Sequence, residues 1–303
     1  MNNEREFPIQ KYVMIILAMI TISFIILRIF INFFDILPWI EETKDIDFII
    51  LLEGMDNGLV NFYDDVSISG WPPYYLYFWY FLFFPIKIIP TDGLVGVYVW
   101  DMLRLVLTIL IIRESPKMFK NKKDLHIFYI LGIVGYFIDA YYNNVNFLIA
   151  FLLFYSLVYL EKDQKWIAGI LFSLATFKIT AIVFLPLLLI ARKIKWKDLI
   201  YFLIPFVLIF VPYIIFPDYF LQMITNWGHS DGEIQGVLII DSIIWKALQP
   251  SHLMFIGLLL IMFMENIKNE ERKNLYRVIL VSVIAIYYIY LTTIVFIIPV
   301  VLA

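Results

Sequence analysis

Cysteine is absent from the 303 residues, which excludes disulfides, thiolate metal sites and thiol catalysis. Charge is scarce as well, at 16% of residues against roughly 25% in a typical soluble domain. No polar stretch is long enough to fold as a separate soluble unit. The chain also has no Gly-rich phosphate loop, no His/Asp/Glu cluster at metal-ligand spacing, no Ser nucleophile elbow and no basic stripe for nucleic acid. An enzyme of this composition needs a substrate that is already in the membrane.

What is present is apolar: 62% hydrophobic and 18% aromatic residues, with a mean hydropathy of +0.86. Runs near the ~20 residues that cross a bilayer recur along the whole chain, the first over residues 9–31 and the last over 278–302. The first run carries no small-residue cleavage pattern and reads as a retained helix. The fold class expected is all-α: one polytopic membrane domain spanning 1–303.

Charge placement gives an expected topology, because Lys and Arg collect in short cytoplasmic loops. Residues 113–124 hold five basic residues, 161–165 two, 192–198 four and 265–277 four. Residues 32–71 hold nine acids against Lys44 alone, and 217–250 hold four against Lys246 alone, so these two segments belong outside. Parity then places 72–90 along the interface. Its prolines and dense aromatics suit that place. The alternative, in which 72–90 crosses, would put the five-base loop 113–124 outside. Residues 48–59 alternate enough to form a second interfacial helix. About nine spans result, with a cytoplasmic N-terminus and a short hairpin over 166–191 whose tip carries Lys178.

Ionisable and amide groups inside such a chain are candidate functional residues, since a central charge costs at least ~2.5–3.5 kcal/mol. Asp45 and Asp47, one residue apart in the first outer loop, can act as a base, hold a cation or sit solvated. Asp101 and Arg104 share a helical face as a structural ion pair or a substrate contact. Asn143, Asn144 and Asn146 can cap a helix or bind sugar hydroxyls. Lys178 either snorkels to the interface or presents a cation to phosphate. The segment from Trp227 to Glu233, with His229, reads as a glycine-rich polar loop outside.

The order of these motifs resembles the GT-C class of integral membrane glycosyltransferases, and its mannosyltransferase-like branches in particular. Asp45-Ile46-Asp47-Phe48 is similar to that class's acidic motif in the first outer loop. Gly70-Trp71-Pro72-Pro73-Tyr74 resembles its aromatic/proline approach to the second juxtamembrane helix. Asn144-Val145-Asn146 resembles Gly-Gln-x-Asn at a span start, with Asn143-Asn144 in place of Gly-Gln. Ala168-Gly169-Ile170 and Leu174-Ala175-Thr176-Phe177-Lys178 resemble the class's small-residue hairpin ending in Lys.

The likeness covers residues 9 to 191, which implies a catalytic module over 1–191 and variable helices with the second outer loop over 192–303. It also implies a bundle with juxtamembrane helices in the first outer loop. The implied reaction is hexosyl transfer, of mannose by the nearest branch, from a polyprenyl-phosphate or dolichyl-phosphate carrier. The acceptor is an unspecified glycan, lipid or protein on the extracytoplasmic face of the cell membrane, or of the endoplasmic reticulum in a eukaryote. Asp47 is then the general base of an inverting transfer and Asp45 its helper, with or without a divalent cation such as Mg or Mn. Lys178, with His229 or Arg104, meets the phosphate, while Asn144, Asn146, Asp101, Trp71 and Tyr74 line the substrate. Two other functions are compatible with the same residues: a transporter or flippase of a lipid-linked sugar, which predicts inverted repeats that the sequence lacks, and a non-catalytic membrane partner.

Overall fold

The computed structural model describes residues 7–34, 46–65, 72–73, 75–87, 93–119, 122–232, 267 and 269–273. Among them every regular element is helical. In chain order the helices are α1 (Phe7–Phe34), α2 (Ile46–Gly54), α3 (Trp79–Lys87), α4 (Gly93–Glu114), α5 (Lys122–Tyr142), α6 (Asn146–Glu161), α7 (Lys165–Ala175), α8 (Phe184–Ile190), α9 (Ile200–Ile215) and α10 (Pro217–Gly232).

Among the described residues, four stretches are long and apolar enough to cross a bilayer: Ile9–Ile31, Val95–Lys117, Lys122–Tyr142 and Trp196–Ile215. The shorter apolar helices Asn146–Glu161 and Lys165–Ala175 pack between them. The expected spans over 251–264 and 278–302 lie outside the described residues. Helix α1 illustrates how a nearly uniform apolar sequence still chooses a face. Val13, Leu17, Thr21, Phe24, Arg28 and Ile31 are buried at spacings of three and four, while Tyr12, Ile15, Met19, Ile22 and Ile26 are exposed. The inward stripe is the one that carries the polar atoms, and the outward surface is as apolar as lipid demands.

Consecutive helices run back and forth, so α1 packs on α4 and α5, α4 on α6, α6 on α7, and α7 on α9. The α7–α9 crossing depends on Gly169, where an added Cβ would stand 1.8 Å from the Tyr201 carbonyl oxygen. Only a residue without a side chain lets the two backbones approach that closely. Beside it, the Ser156 hydroxyl donates to the Ala168 carbonyl at 2.8 Å and the Ser173 hydroxyl to the Gly169 carbonyl at 2.8 Å.

Helix α5 ends at Asn143, whose φ of 51° lies in the left-handed region that Asn tolerates better than most residues. The Asn144 N–H then reaches back to the Asp139 carbonyl at 3.0 Å, the closing bond of a Schellman-type terminus. Asp163 and Arg192 end their helices in the same way, with φ of 55° and 56°.

Two expectations for the outer segments change in detail. Of the interfacial helix expected over 72–90, the described residues form a helix over Trp79–Lys87, preceded by Pro72, Pro73 and turn backbone at 77–78. At nine residues and 1.5 Å rise it is about 14 Å long, too short to cross a bilayer. The segment from Trp227 to Gly232, expected as a loop, continues helix α10, which starts with Pro217 at its first position and Asp218 in its first turn.

Candidate functional site

Because the helices alternate in direction, the C-terminal parts of α1, α5 and α7 meet the N-terminal parts of α4 and α6 at one end of the bundle. Of the residues singled out in the sequence, Asp101, Arg104, Asn143, Asn144, Asn146 and Lys178 collect there. Chain order alone therefore brings together groups that are up to 150 positions apart.

Two connected clusters occupy this end. The deeper one is ionic. Asp101 of α4 receives Arg28 of α1 on one carboxylate oxygen and Arg104 on the other. The Arg28 guanidinium also donates to the Ala140 carbonyl at 2.7 Å. The Arg104 guanidinium donates to the Asp139 carbonyl and the Asn143 side-chain oxygen, both at 3.1 Å, and stands 3.9 Å from the Asp139 carboxylate. All four charged side chains are buried, and their formal charges cancel, which is the condition for tolerating ions away from water. The Arg104 guanidinium also lies 5.8 Å from the centre of the Tyr136 ring. Arg104 is therefore spent on holding α1, α4 and the α5 terminus together.

The second cluster adjoins it through the Asn143-Asn144 turn. The Lys178 ammonium donates to Asn146 at 3.0 Å and to Asn144 at 3.4 Å, and stands 5.8 Å from the centre of the Tyr75 ring. Lys178 is 6% exposed, so it does not snorkel. It occupies the break between α7 and a short 3-10 turn, Ile179–Val183, with extended backbone (φ −98°, ψ 103°). Two buried contacts hold the break: the Phe177 carbonyl accepts the Leu76 N–H at 2.8 Å, and the Thr176 hydroxyl donates to the Ser173 carbonyl at 2.6 Å.

N-capping of α6 does not account for Asn144 or Asn146. The residue before α6 is Val145, with no side-chain cap, and the Asn144 side-chain oxygen instead accepts the Val145 N–H at 2.8 Å and the Lys178 ammonium.

The carboxylate helix α2 is joined to this cluster through aromatic packing. Phe48, fully buried, stacks on Trp100 at 5.3 Å, and the Trp100 indole N–H donates to the Asn144 carbonyl at 3.1 Å. Asp47 is the residue before Phe48, in the first turn of α2. Asp45, Trp71 and Tyr74 lie outside the described residues. His229 lies in the last turns of α10. Among the described residues no group of three His, Cys, Asp or Glu side chains is placed to hold a metal ion.

Sequence reading missed three members of the site. Arg28 sits inside the first apolar run, and its signal was the helical spacing that puts it on one stripe with Thr21. Asp139 sits inside the third run, and only its position in an apolar stretch marked it. Tyr75, whose ring faces Lys178, was hidden among the aromatics of 74–81.

A bundle whose described helices include four long and apolar enough to cross a bilayer is the architecture of an integral membrane protein. The sequence matches the family model of glycosyltransferase family 87 over residues 74–297, well over half of the chain, and the chain belongs to that family. No curated protein matches it, and no solved structure does. The matched region includes Asp101, Arg104, Asn144, Asn146, Lys178 and His229, extends past residue 191, and starts after Asp45, Asp47 and Trp71. Glycosyl transfer is thus the activity of the family to which these residues belong.

Proposed function

We propose that the chain moves a hexose, mannose in the first instance, from a polyprenyl-phosphate or dolichyl-phosphate carrier to an acceptor hydroxyl on the extracytoplasmic side of the membrane, with a GT-C-type bundle of about nine spans. Family membership supports transfer of a sugar. The observation that carries the rest is the buried Lys178 ammonium, held between Asn144 and Asn146 at the end of the bundle where the helix bearing Asp47 is packed.

In this reading the acceptor hydroxyl attacks the anomeric carbon opposite the phosphate. The bond from that carbon to the phosphate oxygen breaks, and the lipid phosphate leaves with the electron pair. The hydroxyl proton passes to Asp47 as general base. A carboxylate with an ordinary pKa of ~3.9 is ionised at neutral pH and needs no tuning for the role. The phosphate is a good leaving group without protonation, so one carboxylate is enough, whereas glycoside hydrolysis takes two. The configuration inverts. Lys178 stabilises the charge that grows on the departing phosphate, assisted by His229, and Asn144 and Asn146 fix the ammonium. Asp45 orients the acceptor or shares a divalent cation with Asp47. Asp101 and Arg104 act by shaping the turn that presents Asn144, and Trp71 and Tyr74 flank the sugar.

The basic connections from α4 to α5, α6 to α7 and α8 to α9 lie at the bundle end opposite Lys178, which favours a cytoplasmic N-terminus and an outer active site. The test is transfer of radiolabelled sugar by purified chain in detergent from a panel of polyprenyl-phosphate sugars, with native membrane extract as acceptor. Transfer from at least one donor is expected. Failure with every donor by a correctly folded chain would favour transport or a non-catalytic role.

A further inference from the structure

A groove of about 690 Å³ opens beside the first outer loop, lined by Tyr63, Asp64, Asp65, Asp218, Gln222 and Asn226, with Leu221 and Thr225 completing the wall. Its floor is fixed by a hydrogen-bond network. The Asn226 amide, 9% exposed, donates one N–H to the Tyr63 carbonyl at 2.9 Å and the other to the Pro73 carbonyl at 2.7 Å. The Tyr63 hydroxyl donates to the Tyr75 carbonyl at 2.6 Å and pairs with the Tyr213 hydroxyl at 2.6 Å. Burial, with Tyr213 beside it, pushes the Tyr63 phenol far above its usual pKa, so it stays a donor at every physiological pH.

The chemistry of the lining is one-sided. Both Asn226 amide hydrogens are committed, so its orientation is locked. Among the described residues its side-chain oxygen accepts no hydrogen bond, although the residue is nine-tenths buried and faces the groove. The Asp64, Asp65 and Asp218 carboxylates form no ion pair among the described residues and are acceptor-only when ionised. The Thr225 hydroxyl donates to the Leu221 carbonyl at 2.9 Å, which leaves its lone pairs to the groove. Among the described lining residues, Gln222 alone brings side-chain N–H donors not already committed. Such a surface asks for a ligand rich in donors and rejects an anion. The three carboxylates do not converge as metal ligands.

We infer that this groove binds the acceptor, and that the acceptor is a neutral, hydroxyl-rich sugar, each of whose hydroxyls supplies the donor that Asn226 and the carboxylates lack. The inference rests on the glycosyl-transfer reading, and the groove borders the proposed transfer site. Pro73 and Tyr75 connect the two: their carbonyls anchor the groove floor, while the Tyr75 ring faces the Lys178 ammonium.

The test reads binding without any donor, by calorimetry on the full chain in detergent. The probes are neutral trisaccharides of mannose, glucose or galactose and the same sugars carrying a terminal phosphate monoester. The wild type is expected to bind at least one neutral trisaccharide at least tenfold more tightly than its phosphorylated form. Thr225→Trp, at an exposed helical position, is expected to weaken that binding at least tenfold. The triple variant Asp64→Asn/Asp65→Asn/Asp218→Asn is expected to narrow the neutral-to-phosphorylated ratio toward one. Absence of binding to any neutral probe, equal affinity for the phosphorylated forms, or full affinity in Thr225→Trp would overturn the inference. A chain that transfers sugar can fail this test and one that transfers none can pass it, so the two readings fail separately.

Discussion

Replacing Asp101 by Asn tests whether the ionic cluster is what holds α1 to the rest of the bundle. Asp101 is fully buried and receives a guanidinium on each carboxylate oxygen, Arg28 on one and Arg104 on the other. Asp139, also buried, stands further from the Arg104 guanidinium, at 3.9 Å. At an effective dielectric near 20, two unit charges about 4 Å apart attract by ~4 kcal/mol. Asp101→Asn removes two such attractions and leaves two buried cations with one anion. Asp139→Asn removes one, and Asp101 still serves both arginines. Part of each loss is offset because a neutral amide is cheaper to bury than a carboxylate.

Breaking a buried pair by removing one partner typically costs ~3–5 kcal/mol, and we expect Asp101→Asn in that range and Asp139→Asn at roughly half of it. The assay is thermal unfolding of the detergent-purified variants, followed by loss of the monodisperse chromatographic peak and by equilibrium denaturation where it is reversible. Asp101→Asn must be the less stable by a clear margin. Equal stabilities, or the reverse order, would refute the reasoning, because the geometry then would not describe where the charges balance.

Three further outcomes follow from other contacts. Gly169→Ala should destabilise the chain by ~1–3 kcal/mol or prevent its folding, since the atoms in the way belong to the Tyr201 backbone and cannot rotate aside; an unchanged melting temperature would contradict the close α7–α9 approach. At Asn143, a valine should cost ~1–2 kcal/mol more than a glycine, because both lose the Arg104 contact but only valine resists a φ of 51°; paired melting curves of the two variants give the difference. Lys178→Gln should lower sugar transfer by ~10²–10³ while destabilising less than Asp101→Asn, which initial-rate measurements and the same melting assay decide together.

The helices themselves were legible because long apolar runs punctuated by basic turns have few other readings. The break at Lys178 was legible too, since Thr176-Phe177-Lys178 interrupts an otherwise apolar hairpin, and Asn144, Asn146 and Lys178 were named from residue type alone. Their mutual contact was not legible, because it depends on α6 and α7 lying side by side with their ends level. Arg28 and Asp139 escaped notice for a related reason. A lone charge in a span looks like an interfacial residue until its partners on other helices are known, and those partners are 73 and 35 positions away. Helix boundaries near the prolines of 72–73 and at Trp227–Gly232 moved by several residues, as local turn chemistry and tertiary packing competed there. The acceptor-rich groove has no sequence signature, since 63–65 and 218–226 are joined only by the fold.

The central claim is that this chain transfers a sugar and that Asp47 takes the acceptor's proton. The most direct measurement compares wild type with Asp47→Asn in radiolabel transfer from the best polyprenyl-phosphate donor, with folding checked by monodispersity. The account predicts robust transfer by the wild type and none above background by the variant, although the variant folds and still binds the donor lipid. Transfer by Asp47→Asn at a rate close to wild type would contradict it and would move the base elsewhere.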